Sequence, residues 1–244
     1  MECLKAKICL LSSGRSGTKF TSEVFNALGF EVGHETMGKN GISSWCLVSD
    51  EGLAPYGPSW RELCGVQFYT AHQIRNPLSA ILSLSTINKK SWRFIDETSC
   101  FELGKDVIVN SARHWLDWNS RAMEKSSVTW ILEDWPKGVS FAMNEMQWDW
   151  SSEDLNRSIG QLKSVNSGKS RWKSLSTLKT SPQVAWRRWR HAQGKLKLDR
   201  QFLRDFDHGL EQEIFQLWSE ASSKSDAIPE LVTSESSECA NFSA

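Results

Sequence analysis

Ile8-Cys9-Leu10-Leu11-Ser12-Ser13-Gly14-Arg15-Ser16-Gly17-Thr18-Lys19 is the stretch that decides how the rest of the chain is read. Four apolar residues in a row fit a strand buried on both faces, and the small residues 12–17 fit a tight loop. Phe20, Val24, Ala27 and Leu28 then recur at helical spacing, closed by Gly29 as a C-cap. A loop between a buried strand and a helix leaves the first N–H groups of that helix without partners. The helix dipole adds positive potential at the same place, so a phosphate or sulfate is the natural guest.

Two well-known nucleotide loops are excluded by spacing. The kinase loop GxxxxGK[ST] needs Lys directly after its last Gly, whereas here Thr18 follows Gly17 and Lys19 comes one place late. Gly168-Lys169-Ser170 has Lys163 where that loop needs its first Gly, and no buried strand precedes it. A GxGxxG fingerprint is missing too, which speaks against dinucleotide-dependent hydride chemistry.

Working outward, Phe30 to Val32 reads as a second strand ending at Gly33-His34-Glu35. Val66 to Ile74 is a β-rich run ending at Arg75. Asn76 follows as N-cap and Pro77 as first helical residue, with Leu78, Ile81, Leu82 and Ser85 on helical spacing. Ile108, Ala112, Trp115, Leu116, Asn119, Ala122 and Met123 share one helical face, and Val128 to Leu132 is a further strand ending at Glu133-Asp134-Trp135-Pro136. Helices are expected at 150–165, 183–191 and 200–218. Strands alternating with helices predict an α/β fold: a P-loop-like three-layer sandwich with a central, mainly parallel sheet flanked by helices.

Composition sets the bounds. The chain has 244 residues, 39% hydrophobic and 24% charged, with 29 basic and 29 acidic side chains. That suits a single α/β domain, read here as 1–218, followed by a Ser/Glu-rich tail, 219–244, expected to be disordered. The longest early apolar run, residues 8–11, is too short for a membrane span or a signal peptide, so a cytoplasmic protein is expected. Six cysteines lie without any CxxC pair, which suggests reduced thiols and no zinc site, and no metal is expected. Charge is unevenly placed: Arg157 to Arg204 holds thirteen Lys/Arg against Asp199, and Asp205 to Glu238 holds nine Asp/Glu against Lys224. The basic stretch could face an anionic ligand or form a solvated face.

The Arg-Ser-Gly-Thr loop after the first strand resembles the 5′-phosphosulfate loop of the PAPS-dependent sulfotransferases, whose donor is 3′-phosphoadenosine 5′-phosphosulfate. Gln73-Ile74-Arg75-Asn76-Pro77, with Ser83 eight residues after Arg75, resembles that family's 3′-phosphate motif. Trp115-x-x-x-Asn119 is similar to a core-helix segment of the bacterial members, and Ile131-Leu132-Glu133-Asp134 to a strand-ending Tyr-Glu-Asp element of the family. Arg-Ser-Gly is shared with the carbohydrate and tyrosylprotein branches, whereas many other members carry Lys at the position of Arg15.

The resemblance implies a sulfotransferase. Arg15, Ser16, Gly17, Thr18 and Lys19 would hold the 5′-phosphate and Arg75 and Ser83 the 3′-phosphate, with Lys169 and Arg171 (and Lys173) closing over the cofactor. Glu35, twenty residues after Arg15, matches a base position of the tyrosylprotein branch, and His34 is the alternative base. Neighbours on a strand point to opposite faces, so only one of His34 and Glu35 is expected to face the cofactor. The acceptor would be a hydroxyl-bearing glycan, lipid-linked sugar or small molecule, and Gly41 to Trp45 could line its pocket or belong to the core. A nucleotide-dependent kinase and a non-catalytic nucleotide- or nucleic-acid-binding module remain the competing readings.

Overall fold

The structure, a computed structural model, describes residues 6–50, 55–155, 157 and 198–229. Five parallel strands form one sheet in the order β2-β3-β1-β4-β5: β1 (Lys7–Leu11), β2 (Val32–His34), β3 (Gly41–Ser44), β4 (Phe68–Ile74) and β5 (Val128–Ile131). The helices whose bounds the described residues define are α1 (Thr18–Ala27), α2 (Pro77–Leu84), α3 (Lys89–Thr98), α4 (Val107–Glu124), α5 (Trp135–Glu145), α6 (Arg200–Phe206) and α7 (His208–Asp226). Parallel strands need crossovers, and the helices that make them cover both faces.

The central strand shows why its sequence is apolar throughout. Ile8 and Leu10 point to the layer of α1 and α5, packing with Val24, Phe25, Val139 and Met143. Cys9 and Leu11 point the other way, toward Trp45 just after β3 and toward Phe94, Trp118 and Ala122 of the α3/α4 layer. All four are fully buried. Asn76 caps α2 by accepting the Ser79 N–H, and Pro77 opens the helix where a missing N–H costs nothing.

Three elements differ from the sequence expectation. The second strand starts at Val32, not Phe30, because Phe30 stacks on Trp148 at 4.3 Å before pairing begins at Val32 and Gly41. Strand β3, Gly-Ile-Ser-Ser, sits between β1 and β2 although only one of its residues is strongly apolar. The helix expected at 200–218 is two helices, broken at Asp207, whose carboxylate caps α7 through the Leu210 N–H.

The chain end also departs from expectation. Residues 219–226 are the last two turns of α7 rather than the start of a disordered tail. Small residues on one face explain this: Ala221 and Ser225 are buried, as is Ile228 beyond the helix, and Ile131 N–H donates to Ser225 Oγ at 3.3 Å. No described helix is long and apolar enough to cross a membrane.

Candidate active site

The loop after β1 is tied down from inside. Ser13 and Ser16 hydroxyls lie 2.7 Å apart, and the Ser16 carbonyl accepts from Gln73 Nε2 at 2.7 Å. Gly17 is the N-cap of α1 at φ +92°, with no side chain capping the helix start. Arg15 is exposed at the loop tip with φ +67°, a left-handed conformation that costs an L-residue energy.

The loop after β1 and the Arg75–Ser83 stretch meet at this point. Arg15 Nε donates to Ser83 Oγ at 2.9 Å, and Arg75 Nη1 donates to the Arg15 carbonyl at 3.1 Å. Arg75 leaves the end of β4 and is half-buried; burial lowers its pKa and nearby Glu133 opposes that. Glu133 accepts the Asn76 N–H at 3.2 Å, and Trp115 Nε1 donates to the Arg75 carbonyl at 3.3 Å. Asn119 in turn bonds the Trp115 carbonyl and His72, so the Trp-x-x-x-Asn segment braces β4 from α4.

His34 and Glu35 converge where alternation along a strand predicts they should diverge. His34 Nε2 lies 3.7 Å from Glu35 Oε1. The reason is local: β2 ends at His34, and Glu35 turns into the left-handed region at φ +57°, where the period-2 rule no longer holds. His34 also stands 3.2 Å from Thr18 Oγ1, at the first residue of α1. Burial and the Lys19 charge lower the His34 pKa, so the ring is neutral near pH 7.

Glu35 is held from three sides. Ser44 Oγ donates to Oε2 at 2.5 Å, and the Trp45 N–H reaches Oε1 at 3.5 Å. Cys46 N–H donates to Ser44 Oγ at 3.1 Å, so the hydroxyl accepts one bond while its own proton goes to Glu35. Gly57, at φ +72°, packs its backbone on the Glu35 carbonyl; a Cβ there would stand 1.9 Å from that oxygen. Burial raises the Glu35 pKa to about 7, against the lowering effect of its hydrogen bonds from Ser44, Trp45 and Cys46.

Lys19 ion-pairs with Glu23 one turn along α1, at 3.6 Å, instead of turning back to the loop. Lys169, Arg171 and Lys173 lie outside the described residues, as do most of the basic stretch and the helix expected at 183–191. Trp45 is buried among Phe94, Trp118, Tyr56 and His114 and stands in the core cluster behind Glu35. Both ring nitrogens of His114 are buried without a partner among the described residues, and its pKa falls to about 3. Gln73 and Ser44 stand in stretches that the sequence singles out but with no role of their own there, and Gly57 escapes sequence reading; a glutamine inside the apolar end of β4 is the one signal for Gln73.

Among the described residues no group of three or more His, Cys, Asp or Glu forms a candidate metal site. Two surface cavities, of about 360 and 470 Å³, lie elsewhere: one is bounded by Thr129 and Lys224, the other by Arg113 and Glu213. No family model and no curated protein matches the sequence. Among solved structures the chain is similar to the crystal structure of mouse sulfotransferase SULT7A1 complexed with PAP, with 13% sequence identity and a TM-score of 0.43, over 93% of this chain and 87% of that one.

Proposed function

We propose that the protein is a PAPS-dependent sulfotransferase that transfers a sulfuryl group to a hydroxyl, or an amine, of a glycan, lipid-linked sugar or small-molecule acceptor. One observation carries the reading: the two motifs, 68 residues apart in sequence, meet through the Arg15–Ser83 hydrogen bond at the end of the sheet where α1 begins uncapped. The donor set suits a doubly anionic nucleotide. It offers two guanidinium groups, a hydroxyl on α2 and the free N–H groups of a helix start.

PAPS, when bound, supplies the sulfuryl group on a phosphate leaving group. Arg15 and the N–H groups of Gly17 and Thr18 would hold the 5′-phosphate, joined by that of Ser16 once it leaves the Ser13 carbonyl, and Arg75 with Ser83 the 3′-phosphate. Arg15 acts by charge alone, because a guanidinium does not give up its proton at physiological pH. Glu35 accepts the proton of the acceptor, and a carboxylate tuned to about 7 is a far better base at that pH than one near 4. Ser44 keeps that carboxylate aimed, and His34 is the neighbouring group able to relay its proton.

A thermal-shift comparison tests this. Adenosine 3′,5′-bisphosphate at about 100 times its Kd should stabilise the protein by about 2.7 kcal/mol, a rise of roughly 5–10 °C in Tm. A shift with ATP and magnesium alone would replace the sulfotransferase reading by that of a divergent kinase.

A further inference from the structure

We infer that Gln73 is a positioning residue: it fixes the direction of the Ser16–Gly17 peptide and so turns the Gly17 N–H toward a bound anion. The inference rests on the reading of residues 12–19 as an anion-binding loop, and gives a role to Gln73, which stands two places before Arg75 in the second quoted stretch with no contact assigned to it there.

Gln73 is fully buried near the end of β4, in a run otherwise occupied by His72, Ala71 and Ile74. Its amide orientation is determined by its neighbours. The Trp130 indole Nε1–H can only donate, and it lies 3.2 Å from Oε1; the Thr21 hydroxyl donates to the same oxygen at 2.5 Å. Rotating the amide would turn the NH2 group onto the indole N–H and the oxygen onto the Ser16 carbonyl, losing both the indole contact and the loop contact. The nitrogen therefore faces the loop, where it donates to the Ser16 carbonyl at 2.7 Å.

A planar trans peptide carries its C=O and its N–H in opposite directions. Drawing the Ser16 carbonyl inward thus sends the Gly17 N–H outward, at the helix start where an anion binds. Without an inward partner that carbonyl would either lie buried and unsatisfied or turn outward and meet the anion with the wrong charge. Three elements cooperate through one side chain: β5 by Trp130, α1 by Thr21 and β4 by Gln73 itself. Gly17 fits closely in this frame, since a Cβ there would stand 3.2 Å from Gln73 Nε2 and 2.8 Å from Leu132.

The test uses the full chain with Gln73→Met, near-isosteric but unable to donate, and Thr21→Val, a milder change that only loosens the amide. Two readouts are taken. Without ligand, ¹⁵N relaxation should show the Gly17 amide ordered in the wild type and mobile in both variants, more so in Gln73→Met. With ligand, calorimetry compares adenosine 3′,5′-bisphosphate with adenosine 3′-monophosphate, which lacks the group the loop holds. The ratio of their affinities should fall about tenfold or more in Gln73→Met, the value of one charge-assisted contact, while affinity for the monophosphate stays put. Wild-type order at Gly17 in both variants, or an unchanged ratio, overturns the inference and leaves Gln73 a purely structural residue. Should the wild type bind neither nucleotide while Gly17 loosens in the variants, the sulfotransferase reading fails and the loop-orienting role stands.

Discussion

His34 Nε2 and Glu35 Oε1 stand 3.7 Å apart, a neutral imidazole beside a carboxyl whose pKa burial has raised to about 7. With Glu35 as the base, turnover under saturating donor and acceptor should rise with pH and level off above about 7. Glu35→Gln should lower kcat about 100- to 10,000-fold with little change in affinity for adenosine 3′,5′-bisphosphate. His34→Gln, which keeps a polar group near Thr18, should cost about tenfold or less. Steady-state kinetics of the two variants decide the matter, and the reverse ranking makes His34 the base.

Arg75 has a guanidinium half withdrawn from water and anchored to the Arg15 carbonyl. Arg75→Ala should raise the Kd for adenosine 3′,5′-bisphosphate by about 10- to 150-fold, or about 1.5–3 kcal/mol. Titration calorimetry reads this directly. An unchanged Kd places the 3′-phosphate elsewhere.

Gly57 should prove as important to turnover as residues within the loop, although no motif contains it. A methyl group at residue 57 cannot coexist with the Glu35 carbonyl 1.9 Å away, so Gly57→Ala must push Glu35 out of place. Its left-handed φ adds strain of about 1–3 kcal/mol. The expected result is a fall in kcat with the bisphosphate Kd unchanged, together with a lower Tm; full activity in this variant would show that the placement of Glu35 is not critical.

Stability should depend on pH mainly through three buried groups, with His34, whose pKa is also lowered, adding to the effect of the buried histidines. His72 and His114 have pKa values pushed down by burial to about 4 and about 3, and Glu35 has one pushed up to about 7. Unfolded histidine takes up its proton near pH 6.5, and unfolded glutamate near 4.3. Between about pH 4.5 and 6.5, therefore, the unfolded chain gains two histidine protons that the folded chain refuses, while the folded chain keeps one on Glu35. The histidines make stability rise with pH and Glu35 makes it fall, for a net rise of about 1.4 kcal/mol per pH unit. Glu35→Gln removes the opposing proton and should steepen the slope toward about 2.7. Urea titrations across this window check both slopes, and equal slopes in the two proteins would mean that Glu35 titrates at its ordinary pH.

What the sequence makes legible is chemistry carried by contiguous residues. The loop at 12–17 and the run from Arg75 to Ser83 are readable because each joins a strand to a helix with its own turn and cap residues, and the structure brings the two together. Strand β3 is hidden because Gly41-Ile42-Ser43-Ser44 is held by neighbours on both sides rather than by its own β-propensity. Helix α5 is hidden behind Pro136 and Gly138, which read as loop residues until Pro136 is seen in its first turn. The convergence of His34 with Glu35 depends on one backbone dihedral, and the role of Gln73 on residues 57 positions away on either side. The first leaves no local pattern to read, and the second shows only as a polar residue in an apolar run.

Arg15 and Glu35, the two residues proposed for opposite ends of the transfer, both occupy backbone conformations that glycine or asparagine would adopt more easily. Selection for heat resistance alone should therefore be drawn to these two positions and silence the protein as it hardened it. A library randomised at 15 and 35 and sorted first for thermal survival, then for turnover, would yield two populations with little overlap.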